Sequence, residues 1–164
     1  MALLLTMAMG MQAQSLLGTW KSNTTTDEDG DKTAWTFIFG QGSKFTLKMT
    51  LETSDPEVGD LAFGLTMPGT YKKNDNTLTL TIDAKQAKGK MEKTIYKGEM
   101  ADLIKDSPEM KKTIDEMLQK QIDEELKKNF KDEAPFDGDL TIKSLTSTKL
   151  VLEDEDETIE LFKQ

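Results

Sequence analysis

Thr77-Leu78-Thr79-Leu80-Thr81-Ile82 is the stretch on which the fold turns. Three aliphatic side chains alternate with three threonines, so an extended chain here has one oily face and one polar face. A helix would scatter the same side chains around its surface. The pattern therefore reads as a strand of a half-buried antiparallel sheet, with threonine on the solvent side. Upstream the period repeats. Trp35, Phe37 and Phe39 alternate with Thr36 and Ile38, and Phe45, Leu47, Met49 and Leu51 with Thr46, Lys48 and Thr50. Gly40-Gln41-Gly42-Ser43 supplies a tight turn between the two runs. Leu61, Phe63, Leu65 and Met67 continue the scheme, and Pro68-Gly69 reads as a bulge or bend.

Downstream, Leu140 and Ile142, then Leu150-Val151-Leu152, then Ile159, Leu161 and Phe162 mark three more strands. With a first segment from Leu16 to Asn23, the strands fall near 16 to 23, 33 to 40, 43 to 53, 60 to 73, 76 to 83, 138 to 146, 148 to 154 and 157 to 163. Short turns between sequential strands favour an up-and-down meander. Eight strands is the number at which such a sheet closes around an interior just wide enough for side chains or one small ligand. The expected fold is mainly β, an eight-stranded antiparallel up-and-down barrel.

One segment departs from period two. From Met100 to Lys131 the apolar residues Leu103, Ile104, Met110, Ile114, Met117, Leu118, Ile122, Leu126 and Phe130 recur every three or four positions over much of the run, which predicts an amphipathic helix. Ser107 is placed to cap it, Pro108 suits its first turn, and the main helix should run to about Phe130. The barrel thus carries a helical insertion, about 100–131, between its fifth and sixth strands. Within it Glu109 with Lys112, and Asp123 with Lys127, have the spacing of surface ion pairs. Residues Ala84 to Glu99 are lysine-rich and either extend the fifth strand outwards or form a loop.

The chain of 164 residues suits one domain, and its charge of −9 disfavours nucleic acid or an anionic membrane as a partner. All 21 basic residues are lysine; arginine, histidine and cysteine are absent. That excludes disulfides, thiolate and histidine catalysis, and zinc or haem sites built on Cys or His. No Gly-x-Ser-x-Gly elbow or glycine-rich phosphate loop is present, so no enzymatic activity, cofactor or metal is expected. The carboxylate runs Glu153 to Glu157 and Asp27 to Asp31 lack EF-hand spacing and sit where hairpin tips are predicted.

Residues 1–14 hold no charge, and Ala2 to Met9 form an apolar run too short to span a bilayer but suited to a signal peptide cleaved near Ala13. The domain proper is then 15–164. No cysteine follows the run to carry a lipid anchor, so the expected location is periplasmic or secreted.

Gly18-Thr19-Trp20 in the first predicted strand resembles the opening signature of lipocalins and related calycin-like barrels. The Phe37 to Phe45 hairpin, Gly69-Thr70-Tyr71 followed by Asn76 to Leu80, and the terminal Ile142 to Phe162 extend the likeness. Together they are similar to the small exported lipocalin-like domains of Bacteroidetes. The resemblance implies a barrel whose closed end is filled by Trp20. In lipocalins an arginine packs over that ring; here Lys163 is the nearest candidate.

The expected function is non-enzymatic: binding of a small apolar or amphipathic ligand in the barrel interior. The residues placed to line it are Trp20, Trp35, Phe37, Phe45, Leu47, Met49, Phe63 and Leu65, the same side chains that would fill a solid barrel. The alternative is a protein-interaction module of the cell envelope, using the helix stripe or the open barrel end.

Overall fold

The structure, a computed structural model, describes residues 15–129, 134–155 and 157–164, with the backbone alone at 126, 127 and 129. The expected signal peptide at 1–14 lies outside the described residues, as does Phe130 of the helix stripe.

Among the described residues ten strands form: β1 (Gly18–Ser22), β2 (Thr25–Thr26), β3 (Lys32–Phe39), β4 (Lys44–Asp55), β5 (Gly59–Asn74), β6 (Thr77–Ile82), β7 (Lys88–Tyr96), β8 (Gly138–Leu145), β9 (Lys149–Asp154) and β10 (Glu157–Lys163). Helices α1 (Gly98–Ile104) and α2 (Pro108–Asn129) lie between β7 and β8. Eight of the strands close a ring in the order β1-β10-β9-β8-β6-β5-β4-β3, and β3 pairs back onto β1. All the pairings are antiparallel. The eight are the segments that alternate in the sequence, so the chain is a closed eight-stranded antiparallel barrel. Closure leaves no open sheet edge around the ring.

Two strands stand outside it. The short β2 adds to the end of β3, while β7 pairs with β5 over Gly59 to Thr66. Residues Ala84 to Glu99, which the sequence left between an outward extension and a loop, thus form a 3-10 turn at Ala84–Gln86, strand β7 and the start of α1.

β5 is long enough to serve two partners on one side: β7 along its first half, and β6 from Gly69 to Asn74. The hand-over falls at Pro68-Gly69. No register shift against β4 occurs there; the irregularity lies instead at Ala62/Phe63, opposite β7. Pro68 still accepts a bond from the Asp83 N–H, and a side chain at Gly69 would collide with the Thr81 carbonyl. That pair marks where the wall divides rather than where the strand bends. Past it, the inner face of β4 and β5 runs out of the barrel as a shelf.

α2 begins as its sequence predicts: the Ser107 hydroxyl accepts a hydrogen bond from the Met110 N–H at 3.3 Å. Of the two expected ion pairs, Glu109–Lys112 is replaced, since Lys112 pairs with Glu116. Lys111–Asp115, Lys112–Glu116 and Lys120–Glu124 form, each with lysine four residues ahead of its acid. Asp123 accepts from Gln119 at 3.1 Å, and its expected pair with Lys127 lies outside the described residues.

α2 packs on β7, an outer strand whose far edge pairs with no other strand among the described residues. Gln119 meets that edge as a strand would. Its amide oxygen accepts from the Met91 N–H and its NH2 donates to the Gly89 carbonyl, both at 3.0 Å. Tyr96 donates to Asp115 at 2.6 Å, and Lys111 donates to the other oxygen of the same carboxylate at 2.6 Å.

Candidate functional site

At one end the barrel is solid. Trp20, Phe37, Phe39, Phe45, Leu47, Met67, Leu78, Leu80, Leu150, Leu152 and Leu161 are fully buried there and in the layers above. Trp20 donates its indole N–H to the Leu16 carbonyl at 2.6 Å, and the Lys163 ammonium sits 4.4 Å from the centre of its ring. Lys163 also donates to the Leu17 carbonyl. It occupies the place that the sequence reading reserved for a cation over the tryptophan. Gly18, at φ 115°, lets the chain turn in beneath that lysine.

Of the residues expected to touch a ligand, Trp20, Phe37, Phe45, Leu47 and Leu65 are buried. The first four are filler of the lower barrel: the Phe37 and Phe45 rings lie 5.7 Å apart, and Trp20 pairs directly with Phe37. Trp35, Met49 and Phe63 are half-buried at the other end. Trp35, Met49 and Leu65 stand in one row across β3, β4 and β5, with Leu51 and Phe63 paired in the next row out.

Phe136, in the loop that leads into β8, closes this end. Its ring meets Trp35 edge-on at 5.1 Å and Phe37 at 5.2 Å. The backbone of Phe136 is left-handed, φ 63°, an unfavourable state for an aromatic residue. Asp137 helps hold it by accepting the Ile82 N–H at 2.6 Å. Nothing in the sequence marks Phe136 apart from its being the one aromatic residue of the Ala134-to-Gly138 return.

Beyond this plug the shelf and α2 enclose an apolar groove of about 460 Å³. Its sheet wall is Met49, Leu51, Leu61, Phe63 and Leu65, and Leu118 and Ile122 of α2 face them. Gln121 and Glu125 are the polar side chains at its border. Three of the expected ligand-contacting residues, Met49, Phe63 and Leu65, therefore meet in the groove rather than inside a deep cup. The helix stripe divides accordingly. Ile114, Leu118 and Ile122 are half-buried, while Met110 and Met117 are 43% and 66% exposed. Leu126 falls where only the backbone is described.

The closed eight-stranded barrel with a tryptophan floor under a cation is consistent with a lipocalin-like fold. No family model matches the chain, and no curated protein matches it significantly.

Proposed function

We propose that this protein is an exported, non-enzymatic binding module that holds a small apolar or amphipathic molecule in the groove between the sheet and α2. One observation carries the reading. The inner face that side chains fill inside the barrel continues past it as Leu51, Leu61 and Phe63, and α2 covers these residues only in part. A volume of about 460 Å³ falls in the range of small-molecule sites, and its apolar lining favours an alkyl or aromatic body. The bordering Gln121 suits a polar end group, and a lining of this kind holds a molecule without converting it. The apolar run Ala2 to Met9 supports export.

The test is titration with N-phenyl-1-naphthylamine, a neutral dye that brightens in apolar sites. Saturable one-to-one binding is expected, and Leu118→Trp, which fills the groove from the helix side, should abolish it while the barrel's circular dichroism stays intact. Absence of saturable binding, or full binding by a folded Leu118→Trp variant, would overturn the proposal. A second reading, docking to an envelope protein, is favoured by Leu103, Met110 and Met117, which stand 59%, 43% and 66% exposed on the helices.

A further inference from the structure

A second cleft, of about 340 Å³, opens at the Phe136 end of the barrel between β1, β3, β9 and β10. Its apolar lining includes Trp35, Phe136, Leu152 and Ile159, and its border carries Asp154, Glu157 and Glu160. Among the described residues no lysine lines it. The contrast with the α2–β7 face is direct, since there lysines 93, 111, 112 and 120 are interleaved with the acids and offset their field.

Trp35 and Phe136 meet at 89°, so the cleft has an aromatic corner offering two ring surfaces in different orientations. Such a corner attracts a positive charge through the negative faces of the rings. The carboxylates are unevenly engaged. Glu160 is held by Lys149 at 2.7 Å. Asp154 and Glu157 sit directly opposite one another in the β9–β10 register, where like charges repel. Among the described residues neither has a side-chain hydrogen bond or ion pair.

We propose that this cleft binds a small organic cation of the alkylammonium class, its alkyl groups against Trp35, Phe136 and Ile159 and its charge shared by the Trp35 ring and the carboxylates of Asp154 and Glu157. An anion would meet the carboxylates of Asp154 and Glu157, which among the described residues no lysine offsets. Calcium takes six to eight oxygens, and among the described residues no three acidic side chains converge to begin such a shell. A quaternary alkylammonium ion needs no such shell, since its charge is spread over its alkyl groups and it is far less strongly hydrated than a divalent metal ion.

The experiment is a titration of the full chain with choline, followed by amide and indole shifts in two-dimensional NMR. Its neutral carbon isostere, 3,3-dimethylbutan-1-ol, serves as the control. Choline is expected to saturate shifts at Trp35, Thr158 and Ile159, and the isostere to bind about fivefold more weakly or worse. Asp154→Asn combined with Glu157→Gln, both surface changes, should weaken choline by a similar factor and leave dye binding in the α2 groove unchanged. Trp35→Leu should abolish choline binding. Trp35→Phe keeps a ring and should retain part of it, which covers the case in which the leucine variant fails to fold. Equal affinity for choline and its isostere would overturn the proposal. So would undiminished binding by the double variant, no saturable shift with choline, or shifts produced by calcium alone.

Discussion

Replacing Trp20 by alanine tests the base of the barrel. The ring is completely buried, its N–H is bonded to the Leu16 carbonyl at 2.6 Å, and Lys163 lies 4.4 Å above its centre. Truncation removes all three interactions and leaves a cavity under a floor that neighbouring strands hold rigidly. Core Trp→Ala changes of this kind cost about 3 to 5 kcal/mol. Against a typical domain stability of about 5 to 15 kcal/mol, that is a large fraction of the whole. For a domain of this size each kcal/mol moves the thermal midpoint by about 2 to 4 °C, so the variant should melt roughly 6 to 20 °C below the parent. Urea titration followed by far-ultraviolet circular dichroism gives the free energy directly. Trp20→Phe, which keeps most of the apolar volume but forfeits the N–H bond and part of the cation contact, should fall between the two. A loss below about 1 kcal/mol for the alanine variant would refute the account of Trp20 as the barrel floor.

Gly59 has φ 127°, and a side chain there would collide with the Ile95 carbonyl, so Gly59→Ala should detach the end of β7 without opening the ring; amide exchange should quicken in β7 and not in β8 to β10. Lys163→Ala should lower stability by about 1 kcal/mol through loss of the cation and its stem over Trp20, and Lys163→Arg should restore it, both read from urea midpoints. The docking of α2 should depend on pH at both extremes. Burial pushes the Tyr96 hydroxyl above its ordinary range, and its bond to Asp115 pushes the same way. The stabilisation is therefore whole below about pH 10 and fades as pH rises past it. Partial burial opposes ionisation of Asp115, but the hydrogen bonds from Lys111 and Tyr96 together outweigh it and leave its pKa below the usual carboxylate value. That contribution is whole above about pH 4 and is lost as the medium becomes more acid. Tyr96→Phe should make the alkaline arm of a pH series of thermal midpoints shallower; an unchanged arm would show that the pair does not hold the helix.

The barrel strands were legible because each needed only one oily face, and a period of two is visible in five or six residues. Thr77 to Ile82 and Phe45 to Leu51 show it, and both fall where they were expected. The start of α2 was legible for the same local reason, since Ser107 and Pro108 act within one turn. β7 was not. Its residues are exposed or only half-buried, and a strand covered on one face by a polar helix has little need of alternating hydrophobicity. What fixes β7 is the length of β5 and the amide of Gln119, both remote in sequence. Lys112 pairs with Glu116 rather than with Glu109 because three- and four-residue spacings occur many times on a helix with this much charge. The site was legible in part. Alternation identified Met49, Phe63 and Leu65 as inward-facing, yet it could not show that the inner face outruns the barrel. Phe136 depends on a loop conformation that no period encodes.

The excess length of β5 connects the fold to the proposed binding. A strand serving only the ring would end where β6 ends, and its inner face would be consumed by core packing. β5 runs on from the ring toward Gly59, so Leu61 and Phe63 emerge with the core's chemistry but without the core's partners. An uncovered face of that kind would invite aggregation, and β7 with α2 answers it on two sides. The cover is incomplete because α2 is anchored by Gln119 to the far edge of β7 and by Asp115 to the Tyr96 hydroxyl, rather than packed squarely onto Phe63. Polar anchoring at one side of an apolar contact leaves the helix able to stand off from the shelf. The space so left is the groove, and its volume is set by where the anchors lie. Moving the anchor should therefore change binding without touching the lining: Gln119→Ala, which frees the Met91 N–H and the Gly89 carbonyl, should alter dye affinity while Trp20 stays buried and the ring stays closed.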